Sequence, residues 1–261
     1  IKIGDSGIVF PWIGCGKCEA CLEDNETLCE TPKYWGARLN GGYSDHIIVP
    51  DSKYIVSYGD MDPAQAAPYA CSGLTAFSAL KKIPTTSKDD WIIIIGAGGV
   101  GINGILLSPA THKAKILVID NDPEKREKAI EAGANEAFSP DDETEIRNKI
   151  GIGASAAIDF VGRPETTDLG LSLVKKGGMV IVVGLYGGSL KLSLPLVPMK
   201  SMTLRGSYVG ELRELKELVN IIKSGKIKLI PVKKQGLETA NQAMSDLRSG
   251  KVNGRIVLIP N

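Results

Sequence analysis

Apolar and polar positions follow two different regimes along the chain. Between residue 91 and about 210, short, mostly apolar strand-like runs recur at 92–95, 116–119, 156–160 and 179–183. The isoleucine run is bounded by charge on one side and glycine on the other, and helix-length amphipathic patterns such as PEKREKAIEAGA lie between the runs. A continuous run such as the four isoleucines of 92–95 suits a strand buried on both faces, where no polar face interrupts the pattern. Regular alternation of such strands with helices predicts βαβ units, hence an α/β fold with a doubly wound parallel sheet.

Outside that stretch the pattern changes. Residues 1–70 hold short β-like pieces (IGDSGIVF, GGYSDHIIVP, KYIVSYG) separated by frequent turn residues, which predicts a small, mostly β region. DPAQAAPYACSGLTAFSAL, 62–80, reads as helix interrupted near Pro68 and Gly73. ELRELKELVNIIKSGKI, from Glu211, is an amphipathic helix ending at a glycine, and the tail reads as one more helix and a final strand. Pro109, near the end of the apolar helix that follows residue 101, is expected to end or kink that helix early.

The stretch Trp91 to Asp120 adds chemistry to the pattern. Gly96, Gly98 and Gly101 form G-x-G-x-x-G after the isoleucine strand, with Gly99 and Val100 between them. A helix and a second strand follow, and that strand ends at Asp120. In a chain with 30 glycines the glycine spacing alone is a weak signal; both strands and the acid in register make it specific. Gly96 permits a tight turn, Gly98 lets backbone approach a pyrophosphate, and Gly101 allows close helix-to-strand packing. The helix N-terminus offers unpaired N–H groups and the positive end of its dipole. Asp120 is expected to accept ribose hydroxyls and to repel a 2′-phosphate, favouring NAD over NADP.

Composition narrows the classes. Lys plus Arg number 31 against 30 acids, so the charge balance points to neither nucleic acid nor an anionic membrane surface. With 43% hydrophobic residues, 261 residues suit one large or two ordinary domains, and no apolar run approaches the ~20 residues of a membrane span. The chain opens at Ile1 in IKIGDSGIVFP, which reads as strand and turn, so it is expected to start within a domain. Five cysteines, four of them within fifteen residues and none behind a secretory signal, point to metal before disulfides and to a reducing cytoplasm.

Cys15, Cys18, Cys21 and Cys29 have the spacing C-x2-C-x2-C-x7-C. Four thiolates can surround a tetrahedral Zn²⁺ and leave no position for water, the arrangement of a structural site. Iron–sulfur ligation and disulfides are the alternatives. The seven-residue last gap fits a ferredoxin run poorly, and pairing four cysteines leaves Cys71 over.

The thiolate lobe and the dinucleotide fingerprint, in this order, resemble the zinc-dependent medium-chain alcohol dehydrogenases. GGYSDHIIVP, AAPYACSGLTAFSAL, IDFVG, VVGLYG, RGSYVG and NGRIVL add to the resemblance, which covers nearly the whole chain. It implies a partly open β-barrel catalytic domain (1–74, with a C-terminal return over 211–261) and a Rossmann domain (75–210). It implies that Cys71 ligates a catalytic zinc and that Thr75 contacts nicotinamide. Lys125 is expected beside the adenosine ribose and Arg255 at the pyrophosphate. Segments 160–162, 184–187 and 206–210, with Val161, Gly184 and Leu185 among them, would pass along the nicotinamide half. The implied reaction is reversible oxidation of a primary or secondary alcohol by NAD, with zinc as Lewis acid. A homodimer or homotetramer joined near LSLPLVPMKSMTLRG is implied as well.

Two of the family's catalytic zinc ligands, a cysteine and the histidine of a Gly-His-Glu motif, have no counterpart here. His46 is read within a strand and His112 in the loop before the second nucleotide-domain strand; neither matches. The chain is therefore expected to bind NADH without assembling the catalytic zinc or turning over alcohols. Tyr34 and Trp35 are the nearest candidates for a substrate pocket. A catalytically silent NAD-binding protein is the rival reading; a zinc-free quinone or enoyl reductase of the same superfamily is a third, against which the complete cysteine lobe argues.

Overall fold

A computed structural model describes residues 1–260. They divide into two compact units, residues 1–74 with 209–260, and Thr75–Tyr208. Among the described residues, no helix is long and apolar enough to cross a membrane.

The first unit is poorer in strands than its sequence suggests. Within residues 1–74 the strands are β1 (Ile8–Val9) and β2 (Ile55–Val56), paired antiparallel. GGYSDHIIVP forms no strand, and His46 lies exposed in loop, which corrects the strand reading of that segment. Its β-branched residues have the composition of a strand but no ladder partner, and strand propensity depends on such partners. The alanine-rich segment breaks where expected at Pro68, as helix Pro63–Ala66 passes into a 3-10 turn, Ala67–Ala70. The second break falls at Cys71, two residues before Gly73. Gly73 itself lies inside helix Ser72–Lys81, where a Cβ would stand 2.4 Å from the Tyr69 ring, so glycine serves close packing there.

The second unit is a six-stranded, all-parallel sheet: β3 (Trp91–Ile95), β4 (Lys115–Ile119), β5 (Glu136–Phe138), β6 (Ala154–Asp159), β7 (Val174–Val182) and β8 (Thr203–Gly206). Their spatial order is β5-β4-β3-β6-β7-β8, the doubly wound order of a Rossmann domain. Ile92, Ile93 and Ile94 are wholly buried, as a strand covered by helices on both faces requires. Regular pairing of β7 with β6 begins at Met179, beyond the KKGG turn. Helix Gly99–Thr111 runs two residues past Pro109, contrary to the early ending expected. The proline sits in the last turn, so its ring removes only the bond to the Ile105 carbonyl and little helix remains to be disturbed.

At the amino end of this sheet, Asp90 holds β3 to its neighbour β6. Its carboxylate accepts from Lys175 Nζ at 2.7 Å, Ser155 Oγ at 2.5 Å and the Ser87 N–H at 2.8 Å. The Lys175 ammonium, then the serine donors, hold its carboxyl well below the usual carboxylate range. A depressed folded value stabilises the fold above the unfolded value of about 3.9 and is lost as pH falls below it. Asp90→Asn is therefore expected to lower stability at neutral pH by about 1–2 kcal/mol, discounted for partial exposure. Denaturation below pH ~4 should then be less steep in the variant than in the parent. Urea melts across that range measure both effects.

After the second unit the chain returns to the first. Helix Leu212–Lys223 buries Leu215, Leu218, Val219 and Ile222, one face at helical spacing. Glu211 caps it, and Glu214 Oε2 accepts the Glu211 N–H at 2.9 Å. Strands β9 (Val232–Gly236) and β10 (Arg255–Ile259) pair in parallel, and helix Ala240–Arg248 lies between them in sequence.

Candidate dinucleotide and metal sites

Sheet order reverses between β3 and β6, and in open α/β sheets ligands bind outside the carboxyl ends of the strands at that point. The glycine turn leaves β3 there. Gly96 has φ 91°, a left-handed conformation that favours glycine. A Cβ at Gly101 would collide with the Gly96 carbonyl oxygen, whereas one at Gly98 meets nothing within 4 Å. The turn is thus closed toward its own strand and open on the face where Gly98 lies. Gly98 is the N-cap of helix Gly99–Thr111 and provides no side-chain cap, so its first N–H groups are left for an anion. These residues fit a pyrophosphate.

Asp120 stands one residue beyond β4. Its Oδ2 accepts the Ala97 N–H at 2.7 Å and its Oδ1 the Asp122 N–H at 2.9 Å. The acid is tied directly to the glycine turn, with lone pairs remaining on both oxygens for ribose hydroxyls. Lys125, in the first turn of helix Pro123–Ala132, pairs with Asp122 at 3.8 Å.

Across the crevice run the loops after β6 and β7. A Cβ on Gly96 would lie 2.7 Å from Val161 Cγ2, so the two loops stand in close contact. Gly162 and Gly184 approach backbone to backbone with no room for a side chain on either. Leu185 and Tyr186 are exposed, and the Arg163 guanidinium lies 3.6 Å from the Tyr186 ring centroid.

In the first unit, the thiol sulfurs of Cys15, Cys18, Cys21 and Cys29 all lie within 4.8 Å of one another. Cys18 and Cys21 are 3.4 Å apart, Cys15 and Cys21 4.0 Å. Four sulfurs at ~2.3 Å from a tetrahedral zinc stand about 3.8 Å apart, so the set fits the ion. Gly16, φ 76°, makes the tight turn between the first two cysteines, and a Cβ on Gly14 would strike Cys21 Sγ. The N–H groups of Lys17 and Cys18 bring the Cys15 thiol down to about 6. Burial pushes the Cys21 thiol up to about 12. Burial also opposes ionisation of Cys29, but the Cys15 and Thr31 N–H groups outweigh it and lower its value.

Known proteins resemble this chain in sequence and fold. The family pattern described as Zinc-binding dehydrogenase matches residues 99–224, and that described as Alcohol dehydrogenase GroES-like domain matches residues 1–59. An NAD-dependent alcohol dehydrogenase of Sulfolobus acidocaldarius is 36% identical over 261 residues, covering 98% of this chain and 75% of that protein. The chain belongs to the zinc-dependent medium-chain alcohol dehydrogenase family. It is an oxidoreductase. A D-arabinose 1-dehydrogenase (NADP(+)) of Saccharolobus solfataricus is 33% identical over 267 residues, covering 100% of this chain and 76% of that protein. The crystal structure of the alcohol dehydrogenase from Aeropyrum pernix superposes with a TM-score of 0.90 at 30% identity, covering 97% of this chain and 75% of that one.

The remaining expected positions of this alcohol dehydrogenase chain are placed as follows. Cys71 is exposed at the break between the 3-10 turn and helix Ser72–Lys81, and Thr75 is buried in that helix. Among the described residues, no group of three His, Cys, Asp or Glu side chains includes Cys71, so the described side chains alone do not fit a three-ligand catalytic zinc. His112 is structural: its ring nitrogens meet the Leu80 carbonyl at 2.9 Å and Thr86 Oγ1 at 3.4 Å. Arg255 opens β10. Tyr34 belongs to the lobe instead of a pocket: it is buried edge-on to Trp12 and donates to the Thr27 carbonyl at 3.1 Å.

Three acids and one backbone position escaped the sequence reading. Glu26 is buried and accepts the Gly14 N–H at 2.7 Å, while Glu211 is buried and accepts from the Thr27 hydroxyl. Asp159 is fully buried at the end of β6. Its sequence signal, an acid closing an apolar strand, is the one that marked Asp120. Val209 has φ 45°, strained for a β-branched residue.

Proposed function

We propose that this chain binds NAD at the turn 96–101 and serves hydride transfer between a primary or secondary alcohol and that cofactor. The bond from the Ala97 N–H to Asp120 carries the reading, because it fixes the ribose acid against the phosphate-binding turn. When bound, NAD supplies the hydride acceptor at its nicotinamide ring. The chain's own residues bind and orient it. The backbone of Gly96, Gly98, Gly99, Val100 and Gly101 cradles the pyrophosphate, Asp120 accepts the adenosine ribose hydroxyls, and Lys125 stands beside that ribose. Val161, Gly184 and Leu185 line the nicotinamide half, with Thr75 a further nicotinamide contact and Arg255 a pyrophosphate contact. Cys71 is assigned to the catalytic metal, and Cys15, Cys18, Cys21 and Cys29 hold a structural zinc that orders their lobe. Residues 1–74 and 211–261 serve as catalytic domain, and 75–210 as the NAD-binding domain.

A catalytically silent NAD-binding protein is not favoured, since relatives at 36% and 31% identity are alcohol dehydrogenases. Five free thiols suit a reducing cytoplasm. A homodimer or homotetramer is supported by the edge strand β8, exposed along its length, and by exposed Leu194, Leu196 and Met199 beside it in sequence. An edge of this kind invites pairing with a second copy.

Cofactor choice offers the test. An NADP-linked relative at 33% identity means that family membership alone does not set it. Asp120→Ser is expected to relax the NAD preference by about tenfold or more by removing the charge facing a 2′-phosphate. The ratio of NADH to NADPH dissociation constants measures it, and an unchanged ratio removes Asp120 from the ribose.

A further inference from the structure

We infer that Asp159 is a positioning residue for the nicotinamide half of the cofactor, holding the two loops that face the glycine turn in their binding shape. The inference rests on the assignment of Val161, Gly184 and Leu185 to that half.

Asp159 closes β6 at the point where the sheet order reverses, and it is fully buried. Its Oδ1 accepts two consecutive N–H groups of the first loop, Val161 and Gly162, each at 2.9 Å. Its Oδ2 accepts the hydroxyls of Thr166 at 2.8 Å and Thr167 at 2.7 Å, from the helix that ends that loop. Its backbone carbonyl accepts Val183 N–H at 2.9 Å and Gly184 N–H at 3.0 Å, the start of the second loop. One residue therefore bonds both loops, the first through its carboxylate and the second through its backbone carbonyl.

A buried carboxylate is costly unless its oxygens are satisfied, and an apolar residue would close a buried strand more simply. What the carboxylate adds is geometry. It turns the chain sharply back after Asp159, presents Val161 over Gly96 and brings Gly162 against the Gly184 backbone. Loops fixed before binding lose less freedom when a ligand arrives, so the fixed shape appears as affinity. That gain belongs to the part of the ligand these loops touch. The Ala97 N–H and Asp120 are bonded to each other and not to the Asp159 carboxylate, so the adenosine and phosphate end of the ligand depends on Asp159 least.

The test compares NADH with ADP, which lacks the nicotinamide half, by equilibrium titration of the unaltered chain and of Asp159→Ala, Asp159→Asn and Thr167→Val. Asp159→Ala is expected to raise the NADH dissociation constant about tenfold or more and to leave ADP within about twofold. Asp159→Asn keeps the shape, since its amide oxygen accepts the two N–H groups and its NH2 donates to the threonine hydroxyls; NADH stays within about threefold. Thr167→Val removes one donor and weakens NADH about threefold, again sparing ADP, and it decides the matter if Asp159→Ala is recovered unfolded. Equal weakening of NADH and ADP reduces Asp159 to general structural support and overturns the inference. Unchanged NADH affinity in the folded variants also overturns it. Failure of the unaltered chain to bind NADH or ADP is a separate outcome that overturns the cofactor reading itself, and this inference with it.

Discussion

Gly101→Val is expected to abolish measurable NADH binding, at least a hundredfold weakening, and to lower stability by about 1–3 kcal/mol. Any Cβ at this position strikes the Gly96 carbonyl oxygen and lies 2.9 Å from its carbon. Those are backbone atoms of the turn itself, so no side chain can swing aside. Relief requires the helix to slide away from β3, which displaces the very N–H groups that face the pyrophosphate. Gly98→Ala separates the two effects. Its φ of −72° suits alanine and its Cβ meets no protein atom within 4 Å, so the melting temperature should hold. The methyl would instead occupy the space through which the phosphates approach, so NADH binding should still weaken. Fluorescence titration and thermal melts of the pair measure both. Full NADH affinity in Gly101→Val contradicts the role of the turn.

The second large effect concerns the thiolate lobe. Chelating its metal, or replacing Cys21 by serine, is expected to unfold residues 15–29 and abolish zinc retention there. Apparent binding energies at such sites are about 10–16 kcal/mol, more than a short polar loop gains from packing. Cys21 is buried, and its sulfur lies 3.4 Å from that of Cys18 and 4.0 Å from that of Cys15, so its loss opens the centre of the cluster. The loss should spread. The Thr27 hydroxyl and N–H bond Glu211, and Arg213 reaches Asn25 Oδ1 at 2.9 Å, so the start of helix Leu212–Lys223 loses its anchor with the lobe. Metal analysis with hydrogen exchange over residues 15–29 and 211–216 reads both parts. An unchanged exchange pattern after metal removal contradicts a structural zinc.

The sheet and the glycine turn were legible because their signals are local. A strand buried on both faces has to be apolar throughout, and WIIII is. A turn that must let helix and strand touch admits no Cβ, and Gly101 has none. The β-like pieces of the first seventy residues were less legible because strands need partners, and a segment's own alternation does not supply one. GGYSDHIIVP shows this, and so do β1 and β2, which extend only two residues each. Pro109 misled because the rule for helix interiors is weak in a last turn. Asp159 was missed although it carries the same mark as Asp120, an acid at the mouth of an apolar strand. The left-handed backbone at Val209 has no mark in the sequence, since a valine there is set by its surroundings.

The most direct test of the account is a paired titration of the unaltered chain with NADH and NADPH at one ionic strength. Asp120, bonded to the glycine turn, predicts saturable NADH binding at least about tenfold tighter than NADPH. Equal affinities, or tighter NADPH, would contradict the placement of an acid at the adenosine ribose and with it the reading of this chain as NAD-linked.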